Sequence, residues 1–292
     1  MNLYSSNEMK ELLERHGFFF KKNLGQNFLM NESIAKRIAS SSRETVSGKG
    51  KTLALEIGPG AGSLTLQLSK LFDQVIALEI DPHLLTVLEE SLGGTNNVKV
   101  INTDALVYPY GDLIREYPDY RIAVCSNLPY YITSELIMRF LEANIPLDSI
   151  TVLIQKEACN RLISPPGSPD YGAITAAVSY YSKAEKLFTV GPGNFIPRPK
   201  VDSAVLRLTP YETPPVTPCD VNLFFRIIRA AFSARRKTLL NALASFFQQS
   251  LSKDEIISLL DQCGVDHTRR GETLRLEEFC EIANQFSKRN LK

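Results

Sequence analysis

The chain has 292 residues, 44% apolar and 22% charged, a balance that suits one or two folded domains and excludes a disordered chain. Its formal net charge is +1, so the total implies no polyanionic partner. No apolar run approaches the ~18 residues of a membrane span, and five scattered cysteines with three isolated histidines disfavour both a disulfide framework and a metal site.

The first segment, MNLYSSNEMKELLERHG, mixes acids with bases and has no apolar centre, so it is not read as a signal peptide. Reduced thiols and no leader lead us to expect a cytoplasmic protein, with a monomer as the default. Five short runs rich in Val, Ile and Leu follow: TLALEIG (52–58), QVIALEI (74–80), VKVINTD (98–104), RIAVCSN (121–127) and SITVLIQ (149–155). Stretches with helical spacing separate most of them, such as LTLQLSKLF (64–72), HLLTVLEESL (83–92) and TSELIMRFLEA (133–143). Buried runs alternating with helices predict an α/β fold with a largely parallel sheet covered on both faces. Ligands of such sheets bind at the carboxyl ends of the strands, and Gly58, Glu79, Asp104 and Asn127 stand at four of those ends.

Further along, 173–190 and 200–210 read as additional strands, and SPPGSPDYG (164–172) reads as a mobile turn-rich loop. TPPVTPCD (213–220) places three prolines in eight residues and can continue neither a strand nor a helix. The pattern from Val221 onward is helical. We therefore expect one domain over 1–210 and a small all-helical domain over 211–292.

EIGPGAG (56–62) lies at the first strand-to-helix turn, where glycines allow positive φ and close backbone approach. A tight turn alone would also want small residues. Glu79, 21 residues beyond Gly58, raises the case for a ligand, since a carboxylate there accepts the hydroxyl hydrogens of a ribose. The loop spacing is GxGxG rather than GxGxxG, and Pro59 removes a backbone donor that a pyrophosphate would want. A nucleoside without phosphates fits better than a nicotinamide dinucleotide, which points to S-adenosylmethionine and methyl transfer. Asp104 is then placed to accept from the adenine amino group.

Residues 126–131 read SNLPYY. Asn and Pro are ordinary turn residues, but turn chemistry does not ask for two rings at a sheet mouth. The exocyclic nitrogen of adenine is a weak nucleophile whose lone pair is delocalised into the ring. An Asn127 side-chain oxygen and the Leu128 carbonyl can accept its two N–H bonds and turn that lone pair toward a methyl donor. Pro129 stiffens the turn, and Tyr130 can stack on the base. Tyr131 is read as core packing at the start of a helix. Phe195 is a candidate for the opposite face of the base, weighed evenly against a hydrophobic plug.

The ordered set KKNLGQNFL (21–29), LEIGPGAGSLT (55–65), NLPY (127–130), LIQKEACNRL (153–162), YGAITAAVSYY (171–181), FIPRPKVDSAVLRL (195–208) and AFSARRKTLLNAL (231–243) resembles the ribosomal RNA adenine N6-dimethyltransferases. Within that family it is most similar to the small-subunit branch, which dimethylates two adjacent adenosines near the 3′ end of 16S rRNA. The resemblance implies a class I methyltransferase domain followed by a helical domain. It assigns Asn27, Leu29, Gly58, Glu79, Asp104 and Asn127 to the methyl donor, and Asn127, Leu128, Pro129 and Tyr130 to the target amine. It also implies that the segment before Leu24 orders over cofactor and RNA. The family more often has Gly and Asn where this chain has Ser126 and Tyr131; neither change is expected to abolish transfer, and a reshaped base pocket is the alternative to core packing for Tyr131.

Between Val221 and Leu240 there are five bases and no acid. Laid on one helix over 221–243, Arg226, Arg229, Arg236 and Lys237 share an arc beside the apolar face, and phosphate contacts are expected there. Arg235 falls on the apolar side and reads as a structural ion pair with the first domain. The rival readings are a 23S rRNA dimethyltransferase of the macrolide-resistance type and an assembly factor whose methylation is incidental. A nicotinamide oxidoreductase is disfavoured by the loop spacing and the lack of an acid–base histidine.

Overall fold

The computed structural model describes residues 1–21, 24–46, 48, 50–143 and 145–289. Lys22 and Asn23 of the KKNLGQNFL run lie outside the described residues. The strands, in chain order, are β1 (Phe28–Leu29), β2 (Lys51–Ile57), β3 (Gln74–Glu79), β4 (Val98–Asn102), β5 (Tyr120–Asn127), β6 (Leu147–Gln155), β7 (Ser182–Val190), β8 (Phe195–Ile196) and β9 (Ser203–Pro210). Seven of them form one sheet in the order β4-β3-β2-β5-β6-β9-β7, while β1 pairs with β8 apart from it. The β2/β3, β3/β4, β2/β5 and β5/β6 pairs are parallel, and β9 runs antiparallel to β6.

The central strands are apolar because both their faces are covered. In β2 every residue after Lys51 is buried, and Ile122 to Ser126 of β5 are buried without a break. The chain runs outward from β2 through β3 to β4, then returns to lay β5 on the other side of β2. Strand order therefore reverses between β2 and β5, which opens a crevice at their carboxyl ends.

The chain divides into two compact units, Met1–Cys159 with Ala184–Pro210, and Asn160–Lys183 with Tyr211–Lys292. The expected single boundary near residue 211 is thus one of three crossings. The reason lies in 173–190, which does not form the continuous strand expected of it. Ala173–Tyr181 is a helix that runs directly into β7. AITAAVSYY is apolar on nearly every side, so its periodicity does not separate helix from strand, and its three alanines favour helix. Nor is 164–172 a free loop: Gly167 N–H donates to the Glu272 carbonyl at 2.7 Å, and Tyr171 is buried in the helical unit's core.

That core gathers Phe224, Ile227, Ile228, Leu239, Leu243, Phe279 and Phe286. The helix expected over 221–243 is two helices, Val221–Phe232 and Leu239–Phe246. Two hydroxyls divide them. Ser233 Oγ donates to the Ala230 carbonyl at 2.7 Å, and Thr238 Oγ1 accepts the Asn241 N–H at 3.4 Å, capping the second helix. Gly271 allows close packing here, because a Cβ on it would stand 2.6 Å from the Ala231 carbonyl oxygen. Among the described residues no helix is long and apolar enough to cross a membrane.

Candidate active site

A cavity of about 290 Å³ opens at the carboxyl ends of β2, β3 and β5 in the first unit. Its floor is the glycine loop, in which Gly58, Gly60 and Gly62 all have positive φ. At Gly60 the need for glycine comes from the protein as much as from any ligand. A Cβ there would stand 2.8 Å from the Phe28 ring, which the N-terminal segment lays against the loop.

That segment is folded onto the unit. Met9 and Leu12 of the helix Ser6–Arg15 are fully buried with Phe18, Phe28, Val87 and Leu88. The Tyr4 hydroxyl donates to the Ser63 carbonyl at 2.8 Å. Lys21 Nζ and Gln26 Nε2 both donate to the buried Asp81 carboxylate, at 2.9 and 3.0 Å. Burial by itself would raise the Asp81 pKa, but these bonds outweigh it and hold the group below its ordinary value. Residues 24–29 then form one wall of the cavity.

Glu79, the last residue of β3, is 3% exposed and lines the cavity. One carboxylate oxygen accepts the Asp81 N–H at 2.8 Å and the other the Gly60 N–H at 3.3 Å. The carboxylate keeps lone-pair capacity beyond these bonds for a ligand hydroxyl. Burial pushes this carboxyl up to about 7. Asp104 lies two residues beyond the end of β4 rather than on the strand, and its Oδ1 accepts the Leu106 N–H at 2.8 Å. Glu56, in the body of β2, is a third carboxylate on the cavity wall, and the sequence reading did not single it out. It is buried, its Oε2 has no hydrogen-bond partner among the described residues, and burial pushes it up to about 8. A carboxylate inside a strand otherwise buried on both faces was the signal available for it.

Asn127 ends β5. Its Nδ2 donates to the Asn27 carbonyl at 2.8 Å, which fixes the amide and leaves Oδ1 as its accepting end. Asn27 is in turn held by its own Nδ2, which donates to the Gly25 carbonyl at 2.9 Å. Leu128 is buried, and its N–H donates to the Leu153 carbonyl at 3.1 Å. The Pro129 carbonyl accepts the Thr133 hydroxyl at 3.0 Å, so the turn is tied to the helix that follows it. The Tyr130 hydroxyl lies 3.0 Å from Ser203 Oγ on β9. Together Asn27, Leu29, Gly58, Glu79, Asp104, Asn127, Leu128, Pro129 and Tyr130 all line the one cavity.

Phe195 is not brought to it. In β8, paired with Leu29, its ring is 3% exposed and packs in the core with Leu29, Val190 and Val205, which is the hydrophobic-plug arrangement. Tyr131, read first as core packing, is 56% exposed and lines the cavity, so it is not a core residue. In the helical unit Arg229 is exposed in the last turn of Val221–Phe232, and Arg236 and Lys237 are exposed in the connector that follows. Arg226 instead sets its guanidinium 5.5 Å from the Phe247 ring centre. Arg235 does form an ion pair, with Glu272 at 3.7 Å, inside its own unit.

The cavity lining thus holds three carboxylates and, among the described residues, no Lys, Arg or His. An acidic lining without a base opposes a pyrophosphate. No group of His, Cys, Asp and Glu among the described residues could hold a metal ion.

Comparison with known proteins gives one answer. Ribosomal RNA small subunit methyltransferase A of Alkaliphilus oremlandii is 42% identical over 286 residues, covering 98% of each chain. The protein of that name from Geobacillus thermodenitrificans is 44% identical over 278 residues, 94% of each. Among solved structures, a dimethyladenosine transferase from Plasmodium falciparum aligns with a TM-score of 0.75 at 26% identity, covering 90% of this chain and 98% of its own. The 23S rRNA methyltransferase ErmE aligns at 0.65 and 27%, covering 89% and 99%. The α/β fold is that of the class I S-adenosylmethionine-dependent methyltransferases. Residues 17–288 match the family model described as ribosomal RNA adenine dimethylase, and the chain belongs to that family.

Proposed function

We propose that this enzyme dimethylates N6 of two adjacent adenosines near the 3′ end of 16S rRNA, with S-adenosylmethionine as methyl donor. The substrate would be the small ribosomal subunit or its precursor, and the reaction a step of subunit biogenesis in the cytoplasm. The observation that carries the donor assignment is the lining of the cavity, where Glu79 and Asp104 stand with the glycine loop and no Lys, Arg or His joins them. The names of relatives at 42–44% identity support the small-subunit choice.

S-adenosylmethionine supplies an electrophilic methyl group on a cationic sulfur. Glu79 accepts from the ribose hydroxyls and Asp104 from the adenine amine, while Asn27, Leu29 and Gly58 shape the donor's bed. Asn127 Oδ1, held in place through Nδ2, and the Leu128 carbonyl accept the two N–H bonds of the target amine. That pulls nitrogen electron density out of the purine and aims it at the methyl group. The proton is acidic once the nitrogen is alkylated, so it leaves to water without a strong base. Tyr130 supplies a stacking face worth roughly 1–3 kcal/mol. Arg229, Arg236 and Lys237 of the helical unit contact RNA phosphates, which position the substrate without reading its sequence.

The test is transfer of radiolabelled methyl groups to small subunits from a strain lacking the modification, with large subunits and Asn127→Ala protein in parallel. N6,N6-dimethyladenosine in small-subunit RNA, reduced at least a hundredfold in the variant, is the expected result. Label confined to large subunits would move the chain to the branch represented by ErmE. Donor binding without label in either subunit would leave a binding factor.

A further inference from the structure

We propose that Tyr131 is a donor-positioning residue: its ring closes one side of the cavity mouth over the nucleoside of the bound methyl donor. The proposal rests on the reading of the cavity as a donor site.

The two tyrosines of the turn have different partners. Tyr130 is tied by its hydroxyl to Ser203 of β9, 3.0 Å away. Tyr131 reaches the opposite wall. A Cβ added to Gly25 would stand 3.5 Å from the Tyr131 ring carbon Cδ1 and 3.9 Å from the Tyr130 backbone nitrogen. The ring therefore abuts the segment 24–29 and spans from the β5 turn to the N-terminal wall. Gly25 adopts φ +59°, so the backbone there is already shaped for a residue without a side chain, and nothing intrudes on the ring.

Tyr131 lines the same cavity as Asp104 and Glu79, the two groups assigned to adenine and ribose. Burial, then the charge of those two carboxylates, raises the pKa of its phenol. Ile80, which follows Glu79 and lines the same cavity, is likewise 46% exposed. Two large side chains left half in water at the cavity form a surface that a flat ring would cover. Covering one face of this half-exposed ring with a base is expected to raise affinity about tenfold.

The experiment is calorimetric titration of the full-length protein with S-adenosylhomocysteine and, separately, with methylthioadenosine, which keeps the nucleoside and lacks the amino-acid end. Wild type, Tyr131→Phe, Tyr131→Asn and Tyr131→Ala are compared, with apo melting points to confirm folding. The expected result is a Kd raised about tenfold for both ligands in the Asn and Ala variants, with Phe close to wild type. In turnover with small subunits, KM for S-adenosylmethionine should rise by a similar factor while KM for the subunit is unchanged. Unchanged ligand affinity in Tyr131→Ala, or a rise only in KM for the subunit, would overturn the proposal and make the ring an RNA contact. Wild-type protein that binds neither ligand would instead overturn the donor-site reading itself.

Discussion

Glu56 is the cavity carboxylate buried in the body of β2, and it makes the apo protein sensitive to pH. Its folded-state pKa of about 8 stands far above the ordinary carboxylate value because burial disfavours the charge, and the Glu79 charge adds to the effect. The sign follows from proton binding. Between the ordinary value and about 8 the folded state holds a proton that the unfolded chain has already lost. Stability therefore falls as pH rises through that window and levels off above it. Glu79, raised to about 7 for the same first reason, acts in the same direction. Glu56→Gln keeps the shape and removes the titration. The expected outcome is an apo melting point near wild type at pH 5 and several degrees higher at pH 9, since each kcal/mol moves the midpoint by roughly 2–4 °C in a unit of this size. A constant offset across that range would contradict it. Ser126 has a structural account at the same scale. Its buried Oγ accepts the Ile57 N–H at 2.8 Å, where β2 gives way to the glycine loop, so this hydroxyl satisfies a backbone donor beside the site.

Elements are set by their ends as much as by their apolar faces, and the helical unit illustrates this. Helix Val221–Phe232 begins at Asp220, whose Oδ1 accepts the Leu223 N–H at 3.0 Å. Replacing that cap with alanine costs about 1 kcal/mol. Amide exchange over 221–232 should quicken about fivefold in Asp220→Ala, with β2 unaffected, as mass spectrometry of the exchanging protein would read. Unaltered exchange over 221–232 would show that packing of Phe224 and Ile228 alone fixes the helix start. Much of the architecture was legible in this way. The five parallel strands announced themselves as short Val, Ile and Leu runs, and the residues at or just past their ends converge on the cavity because topology requires it. What was not legible depended on competition between local preferences. Apolar periodicity carried 221–243 straight through Ser233 and Thr238, whose hydroxyls end one helix and cap the next. Ala173–Tyr181 had no polar face to reveal its period. Phe195 and Tyr131 exchanged roles because the inward or outward aim of one ring is decided by tertiary neighbours, Leu29 for the first and Gly25 for the second.

Over the whole molecule, charge is distributed by task while the net value stays at +1. The cavity lining carries acids and no bases, and the stretch from Val221 to Leu240 carries bases and no acids. The acids of the cavity belong to one unit and these bases to the other, so each unit carries charge suited to one kind of ligand. The break between the two helices sorts the bases by environment. Arg226 sits over the Phe247 ring and Arg235 pairs with Glu272, so both are used within the fold. Arg229, Arg236 and Lys237 are exposed and are the groups we assign to phosphates. Removing one base that neutralises a phosphate should reduce the slope of log affinity against log salt by roughly 0.7–0.9, as counterion release requires. Binding of the wild-type protein to small subunits should therefore weaken steeply with salt, and Arg229→Ala and Lys237→Ala should each flatten that dependence while also weakening binding at low salt. Arg226→Ala should leave the slope unchanged and lower the melting point, because it takes away a cation stacked on a ring rather than a partner for phosphate. Equal slopes in wild type, Arg229→Ala and Lys237→Ala would remove the RNA role from this surface. The methyl-donor cavity would be untouched by that result, since its own acids act on a different ligand.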